Sequence, residues 1–424
     1  VSDRILRSAF GALLLIGTVV SCKEQVTGTL GCPELCTDET ATVRDTILVG
    51  AVVIDTTFIG FPRVGEDRNV TLWNNTDTAD VRLIARFDSL PTSYLMVGAT
   101  TDSLIRRVDS ASLIFTIDTL LQRPTLPLTI DAFDVDTTAA DSLTSALIPL
   151  FRPGRLIGSQ TFSAADLKAD TLRLLLDNAA VFAKIKDTLH LRVGLRVRGP
   201  GSAHIRVLGS SFSPIVRFRV SSDTTIAPDT AILRSLTPPE VVNVQNAYAM
   251  YKVVAAGALP PPPRGLSAIG GLSGARTYIR FDIPATVLDS VQVIRASLLL
   301  TQTKARSTGN FGDTLTVFTQ PVLASPGVTD IFTASQFLGG ARSYGVDSVQ
   351  FAPRDSGLKS IELVNLLRFW KTVGATNTSR SVVLRALQEG ATPSEASFYS
   401  TEGPAAVRPR LRLTYVPRRG FGIP

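Results

Sequence analysis

Large and polar side chains alternate from Tyr278 to Asp282, the spacing of a half-buried strand. Pro284 has no N–H to give and ends that ladder. A turn is expected at Leu288-Asp289-Ser290, followed by a second strand from Val291 to Leu300 with Ala296, Leu298 and Leu300 on one face. A weaker copy of this unit lies upstream. Leu83-Ile84-Ala85-Arg86-Phe87-Asp88 precedes Pro91, and Val108-Asp109-Ser110-Ala111-Ser112-Leu113-Ile114-Phe115 follows.

Other segments keep the same order in both copies. Leu128-Thr129-Ile130 matches Leu315-Thr316-Val317-Phe318, and Leu172 to Phe182 matches Ile361 to Trp370 as the one helical or mixed stretch of each copy. Pro214 and Pro409 each precede a closing strand. Strict alternation marks Leu189 to Arg198 and Ile215 to Val220, and apolar strands are expected over Ile47 to Phe58 and Val70 to Trp73. Matched order over this length predicts a duplication. Many short strands with turn signals predict an all-β chain of two tandem antiparallel β-sandwich, jelly-roll-like domains, each with a short helical segment. The first domain is expected over 45–220 and the second over 240–416, joined by a Ser/Thr/Asp/Pro-rich linker at 221–239 and followed by a tail at 417–424.

Strand, Arg-Phe-Asp, proline, turn and Ala-Ser-Leu strand together resemble the DNRLRE-domain family, β-sandwich modules of bacterial secreted proteins, some of which bind carbohydrate. The likeness extends to Ser400-Thr401-Glu402 and Arg408-Pro409-Arg410-Leu411, which are similar to the family's closing turn and last strand. The six letters that name the family are absent, and the first copy lacks the Ser-Thr-Glu turn. The resemblance implies an exported module with a binding role.

The N-terminal residues point the same way. Arg4 and Arg7 precede an apolar run from Phe10 to Val20, too short to span a bilayer as a stable helix and suited to a secretory leader over 1–21. Val19-Val20-Ser21-Cys22 resembles the bacterial lipoprotein box, so Cys22 is expected to carry the acyl chains, palmitate among them, that hold a soluble body to a membrane. Lys23 rather than aspartate follows the cysteine, which in such lipoproteins implies export to the outer membrane or cell surface. Residues 22–44 read as a tether. They hold Cys32 and Cys36, for which a local disulfide in an oxidising compartment and a redox or metal motif are the two readings, the disulfide being favoured.

Composition narrows the chemistry. The 424 residues are 44% hydrophobic and 19% charged, enough apolar content for two or three cores. The net charge of +7 permits anionic partners, although genome composition is the favoured account of the preference for arginine. Only two histidines, His190 and His204, are present, and both fall on strands, so histidine-based catalysis or metal binding has few candidates. Asp282, Glu362, Glu395 and Glu402 supply no convincing carboxylate pair; a non-catalytic protein is expected, with a polysaccharide-cleaving enzyme well behind.

Two candidate sites remain. Asp131, Asp134 and Asp136, with Asp141 close by, could form an oxygen-rich loop for structural Ca²⁺, or be an ordinary solvated strand end. Arg192, Arg196 and Arg198 share one face of a strand, as do Arg410 and Arg412, and Arg217 and Arg219. Such a face is either a soluble outer surface or a cationic site for uronate, sulfate or phosphate, where a guanidinium grips two oxygens. Sugar binding wants exposed aromatic platforms; Trp73 ends a strand and could be exposed, Trp370 reads as core, and neither makes a platform by itself. The expected partners are a membrane, through the lipid, and a glycan or other cell-envelope component. No basic-aromatic motif for nucleic acid is present. A structural or protein-interaction surface protein is the alternative function.

Overall fold

The computed structural model describes residues 43–417 apart from 61–68, 76–78, 89, 96–98, 119–123, 210–213, 226, 228–240, 246–249, 307–313, 326, 329–332, 334–336, 340–347, 374–378, 388 and 391–392. The leader, Cys22, Cys32, Cys36, most of the tether and most of the linker therefore lie outside the described residues. Within them the chain is all-β with antiparallel sheets.

The C-terminal half is a sandwich. One sheet runs Arg44–Leu48, Arg410–Pro417, Val291–Thr303, Glu395–Tyr399, Leu266–Gly270, with Gly357–Glu362 also on Val291–Thr303. The other runs Val52–Phe58, Arg276–Phe281, Ser381–Ala386, Leu315–Val322, Val349–Phe351. Ile279, Phe281, Leu298, Val382, Leu384, Leu411, Leu413 and Trp370 are buried between them, the inward half of each period-two pattern. The turn expected at Leu288-Asp289-Ser290 is the end of a short helix, Ala285–Asp289, started behind Pro284.

The N-terminal half is one 11-stranded sheet curled on itself. Its order is Val241–Gln245, Ile215–Ser221, Arg107–Ile117, Ser202–Leu208, Asn69–Asn75, Ala79–Phe87, Leu191–Arg198, Leu128–Asp134, Leu156–Phe162. Thr171–Leu176 adds to Arg107–Ile117, and Tyr251–Ala256 adds to Ala79–Phe87. The curl encloses Leu83, Phe87, Leu113, Phe115, Val193, Leu195 and Phe218. A second apolar layer of Ile84, Phe133, Val135, Leu147, Tyr251 and Val253 covers part of the outer face. Gly194 makes room for it, since a Cβ there would lie 2.6 Å from the Phe151 ring. This is why Ala79–Phe87 is buried on both sides.

The two halves repeat one pairing scheme. Ser112 lies opposite Leu175 on one side and Arg217 on the other, and Ser297 lies opposite Glu362 and Arg412. Val193 lies between Ala85 and Asp134, and Val382 between Ile279 and Pro321. The segment expected to be helical or mixed is in each half a strand followed by a helix: Thr171–Leu176 then Asn178–Lys186, and Gly357–Glu362 then Val364–Val373. A polar side chain at each junction accepts from the Ala of the Ala-Ser-Leu strand. Asn178 Oδ1 takes Ala111 N–H at 2.8 Å and Glu362 Oε1 takes Ala296 N–H at 2.9 Å. Asn178 Nδ2 also donates to Asp109 O at 2.7 Å, while Asp177 caps the helix. Asn178→Ala should therefore cost about 1–3 kcal/mol by stranding a backbone donor and acceptor, measurable by urea denaturation.

The strand pairs do not respect the boundaries expected at 45, 220 and 240. Arg44–Leu48 and Val52–Phe58, from the start of the first repeat, pair with Arg410–Pro417 and Arg276–Phe281 of the second. Val241–Gln245 and Tyr251–Ala256, from the start of the second repeat, pair with Ile215–Ser221 and Ala79–Phe87 of the first. Each half is completed by the other's leading strands.

Candidate functional site

Arg192, Arg196 and Arg198 do share one face of Leu191–Arg198, opposite Leu191, Val193, Leu195 and Val197. That face is not an open cationic surface. Arg198 forks onto Asp131, with Nη2 at 2.8 Å from Oδ1 and Nε bonded to Oδ2, and Ser159 Oγ donates to the same carboxylate at 2.7 Å. Arg196 meets Asp80 at 3.0 Å, a carboxylate it shares with Arg82 at 2.6 Å. The Arg82 guanidinium lies 4.7 Å above the Phe151 ring and donates to Ile148 O. Arg192, 2% exposed, meets Asp141 at 3.1 Å and Ala139 O at 3.3 Å. Asp141 also takes Arg86 Nη1 at 2.9 Å and the Tyr251 hydroxyl at 2.6 Å. Burial and the neighbouring Asp141 raise the Tyr251 phenol well above its ordinary value, so it stays a neutral donor.

On the closing strand, Arg410 donates to Ala406 O at 3.2 Å, and Arg412 grips Asp45 of the Arg44–Leu48 strand, with Nε 2.9 Å from Oδ2. The Arg412 hydrogen bond is the main reason that the Asp45 carboxyl lies below its usual range. Arg192, Arg196, Arg198, Arg410 and Arg412 thus all have partners within the chain.

The three aspartates are divided by the strand's own period. Asp131 points with Phe133 and Val135 to the outer layer, while Asp134 and Asp136 turn the other way. Lys184 Nζ lies 3.1 Å from Asp134 and 2.9 Å from Asp136, and His190 Nε2 lies 2.5 Å from the other Asp136 oxygen. Among the described residues, no three or more His, Cys, Asp or Glu side chains are grouped as a metal would need. Burial pushes the Asp131 carboxyl up, but the bonds from Arg198 and Ser159 outweigh it and hold the carboxyl below its ordinary value. With its folded pKa depressed, Asp131 contributes stability above the ordinary carboxylate pKa and loses it as pH falls. Asp131→Asn should be less stable than the parent near neutrality and lose less stability between about pH 5 and pH 3, as urea midpoints across that range would record.

Spacing gave no sign of the ionic groups at the centre of the C-terminal half. Glu395, with a fully buried side chain, takes both arms of Arg306 at 2.9 Å, and Arg306 Nη1 donates to Pro260 O. Glu389, also buried, takes Arg276 at 2.8 and 2.6 Å. Lys252, from the Tyr251–Ala256 strand, donates to Glu389 O at 2.7 Å and ties the halves together. Asp55 of Val52–Phe58 accepts from Thr401 N at 2.8 Å and Thr401 Oγ1 at 2.5 Å, fastening the Ser400-Thr401-Glu402 turn. A lone acidic residue within an otherwise uncharged strand, as in Ser394-Glu395-Ala396-Ser397-Phe398, was the available signal. Of the carboxylates considered for catalysis, Glu362 bonds Arg295 at 2.9 Å and Glu402 lies 3.4 Å from Arg264.

Trp73, whose place at a strand end allowed exposure, is instead buried. Trp73 is 8% exposed and its Nε1 donates to Ser202 Oγ at 2.9 Å. Trp370 is core, against Phe281 at 5.6 Å. Near Trp73 a cleft of about 310 Å³ is lined by Pro124–Leu128, Pro200 and Ser202–His204. No described helix is long and apolar enough to cross a membrane.

No family model and no curated protein matches the chain. The solved structures with some likeness to the chain include two from viruses. The Macrobrachium rosenbergii nodavirus structure is 8% identical at a TM-score of 0.16, covering 95% of this chain and all of that one. The infectious bursal disease virus VP2 subviral particle is 11% identical at 0.13, covering 90% of this chain and 77% of that one. Scores at this level carry no argument about fold or role.

Proposed function

We propose that the chain is a non-catalytic architectural module of the bacterial cell envelope, held to a membrane by acyl chains on Cys22. The observation that carries this reading is the reciprocal completion of the two halves, with the arginines and carboxylates of the sheets engaged on one another. A polyanion would have to break these internal pairs before it could be gripped. Neither tryptophan offers a sugar ring an open face. Glycan attachment remains the second reading, favoured by the cleft between Pro124–Leu128 and Ser202–His204.

The full chain, expressed in a diderm bacterium with an alkyne fatty acid, tests both. The architectural reading expects label in the membrane fraction, its loss with release of the protein in Cys22→Ser, and no retention on envelope polysaccharides with or without EDTA. Unlabelled soluble protein would overturn the anchoring. Polysaccharide retention abolished by His204→Ala would transfer the case to glycan binding.

A further inference from the structure

We propose that the arm formed by residues 44–58 is an exchangeable element whose alternative partner is a second copy of this chain, the arm of each chain completing the C-terminal half of the other. This goes beyond the envelope role and does not rest on it.

The argument starts from the repeat. Its two arms enter their slots in nearly the same register. Ile47 lies opposite Arg412, and Asn243 lies opposite Arg217. Thr57 lies opposite Thr277, and Lys252 opposite Leu83. Since Ser297 and Ser112 fix Arg412 and Arg217 as equivalent positions, each arm occupies in the other half the slot its counterpart occupies. That is reciprocal strand exchange within one chain, the arrangement that forms swapped dimers when it occurs between chains.

Local features hold the arms across. Pro260–Pro263 follow the second arm after Gly257, Ala258 and Leu259. Four fixed φ angles favour an extended run over a tight reversal. Arg306 fastens Pro260 O to the C-terminal half. At the end of the first arm, Gly60 N donates to Ser273 O at 2.9 Å. A chain so joined reaches across, and what it reaches need not be its own other half.

The energetics follow from identity of the contacts. Exchange between chains rebuilds the ladder to Arg410–Pro417, the burial of Val52 and the Asp55–Thr401 bonds unchanged. Only the effective concentration of the tethered arm favours the closed monomer, and for short linkers that is on the order of millimolar. Monomer should dominate in dilute solution, with exchanged dimer trapped when chains fold together at high concentration.

The Thr57 and Thr277 hydroxyls are 3.1 Å apart, so cysteines at these positions are placed to bond. In full-length chains with Cys22, Cys32 and Cys36 changed to serine, one chain carries Thr57→Cys and another Thr277→Cys. The two are unfolded, mixed, refolded and oxidised. A disulfide-linked heterodimer is expected whose share rises at least roughly tenfold between about 10 µM and about 1 mM chain. A chain carrying both cysteines should close its own bond at the lower concentration, showing that the substitutions fold. Absence of heterodimer at both concentrations while that chain closes would overturn the proposal. So would an equal yield when the exposed Leu175→Cys replaces Thr57→Cys, since collision alone would then explain the bond.

Discussion

Glu395→Ala is expected to lower the stability of the C-terminal half by about 3–5 kcal/mol. The fully buried carboxylate forks with Arg306 at 2.9 Å on both arms and accepts from Ser397 Oγ at 3.1 Å. Removing it leaves a guanidinium that is 15% exposed without its counter-charge, and that residual desolvation dominates the loss. Pairing Glu395→Leu with Arg306→Met removes both charges at similar volume and should recover much of the loss. Urea denaturation of the parent, the single and the double variants measures this. A single variant within about 1 kcal/mol of the parent would mean that water reaches the pair.

Deleting residues 44–58 should have a larger effect, placed where chain order does not suggest it. The lost strands belong by sequence to the first repeat. Leu48, Ala51 and Val52, however, pack in the core of the second, and Asp55 secures its Ser400-Thr401-Glu402 turn. Without them Arg410–Pro417 and Arg276–Phe281 each lose a neighbour and become open edges. Amide exchange should therefore accelerate across 276–303 and 395–417 while Leu128–Asp134 and Leu191–Arg198 remain protected. The reverse distribution would place the arm in its own half.

Much of the strand layout could be read from side-chain spacing. The alternation from Leu191 to Arg198, the Arg-Phe-Asp strand before its proline, and the match of Pro214 with Pro409 all lie where strand geometry requires, because a period of two marks an inward face regardless of what the strand pairs with. Leu189 and His190, expected on the same strand, precede it, and Leu189 is exposed. The pairing partner is another matter. Ile47 to Phe58 and Val241 to Ala256 occupy equivalent places in equivalent repeats, and a strand's own residues do not state which of two similar edges it joins. The partners of the arginine face could not be read for a related reason. Arg192, Arg196 and Arg198 would be spaced identically on a solvent face or above a row of aspartates, and the aspartates come from Asp80, Asp131 and Asp141, far apart in sequence. Gly194 carried a clue, since a residue without Cβ in a central strand marks close approach by another group; that group is the Phe151 ring.

The central claim is that the leading strands of each repeat complete the other. It is tested most directly by two cysteine pairs in the serine-substituted chain at low micromolar concentration. Thr57→Cys with Thr277→Cys reports the arm in the second half, and Thr57→Cys with Leu83→Cys reports it in the first, where Lys252 now lies opposite Leu83. Mass spectrometry of peptides from the oxidised monomer should find the 57–277 disulfide and no 57–83 disulfide. A 57–83 disulfide formed in place of 57–277 would contradict the exchange and everything drawn from it.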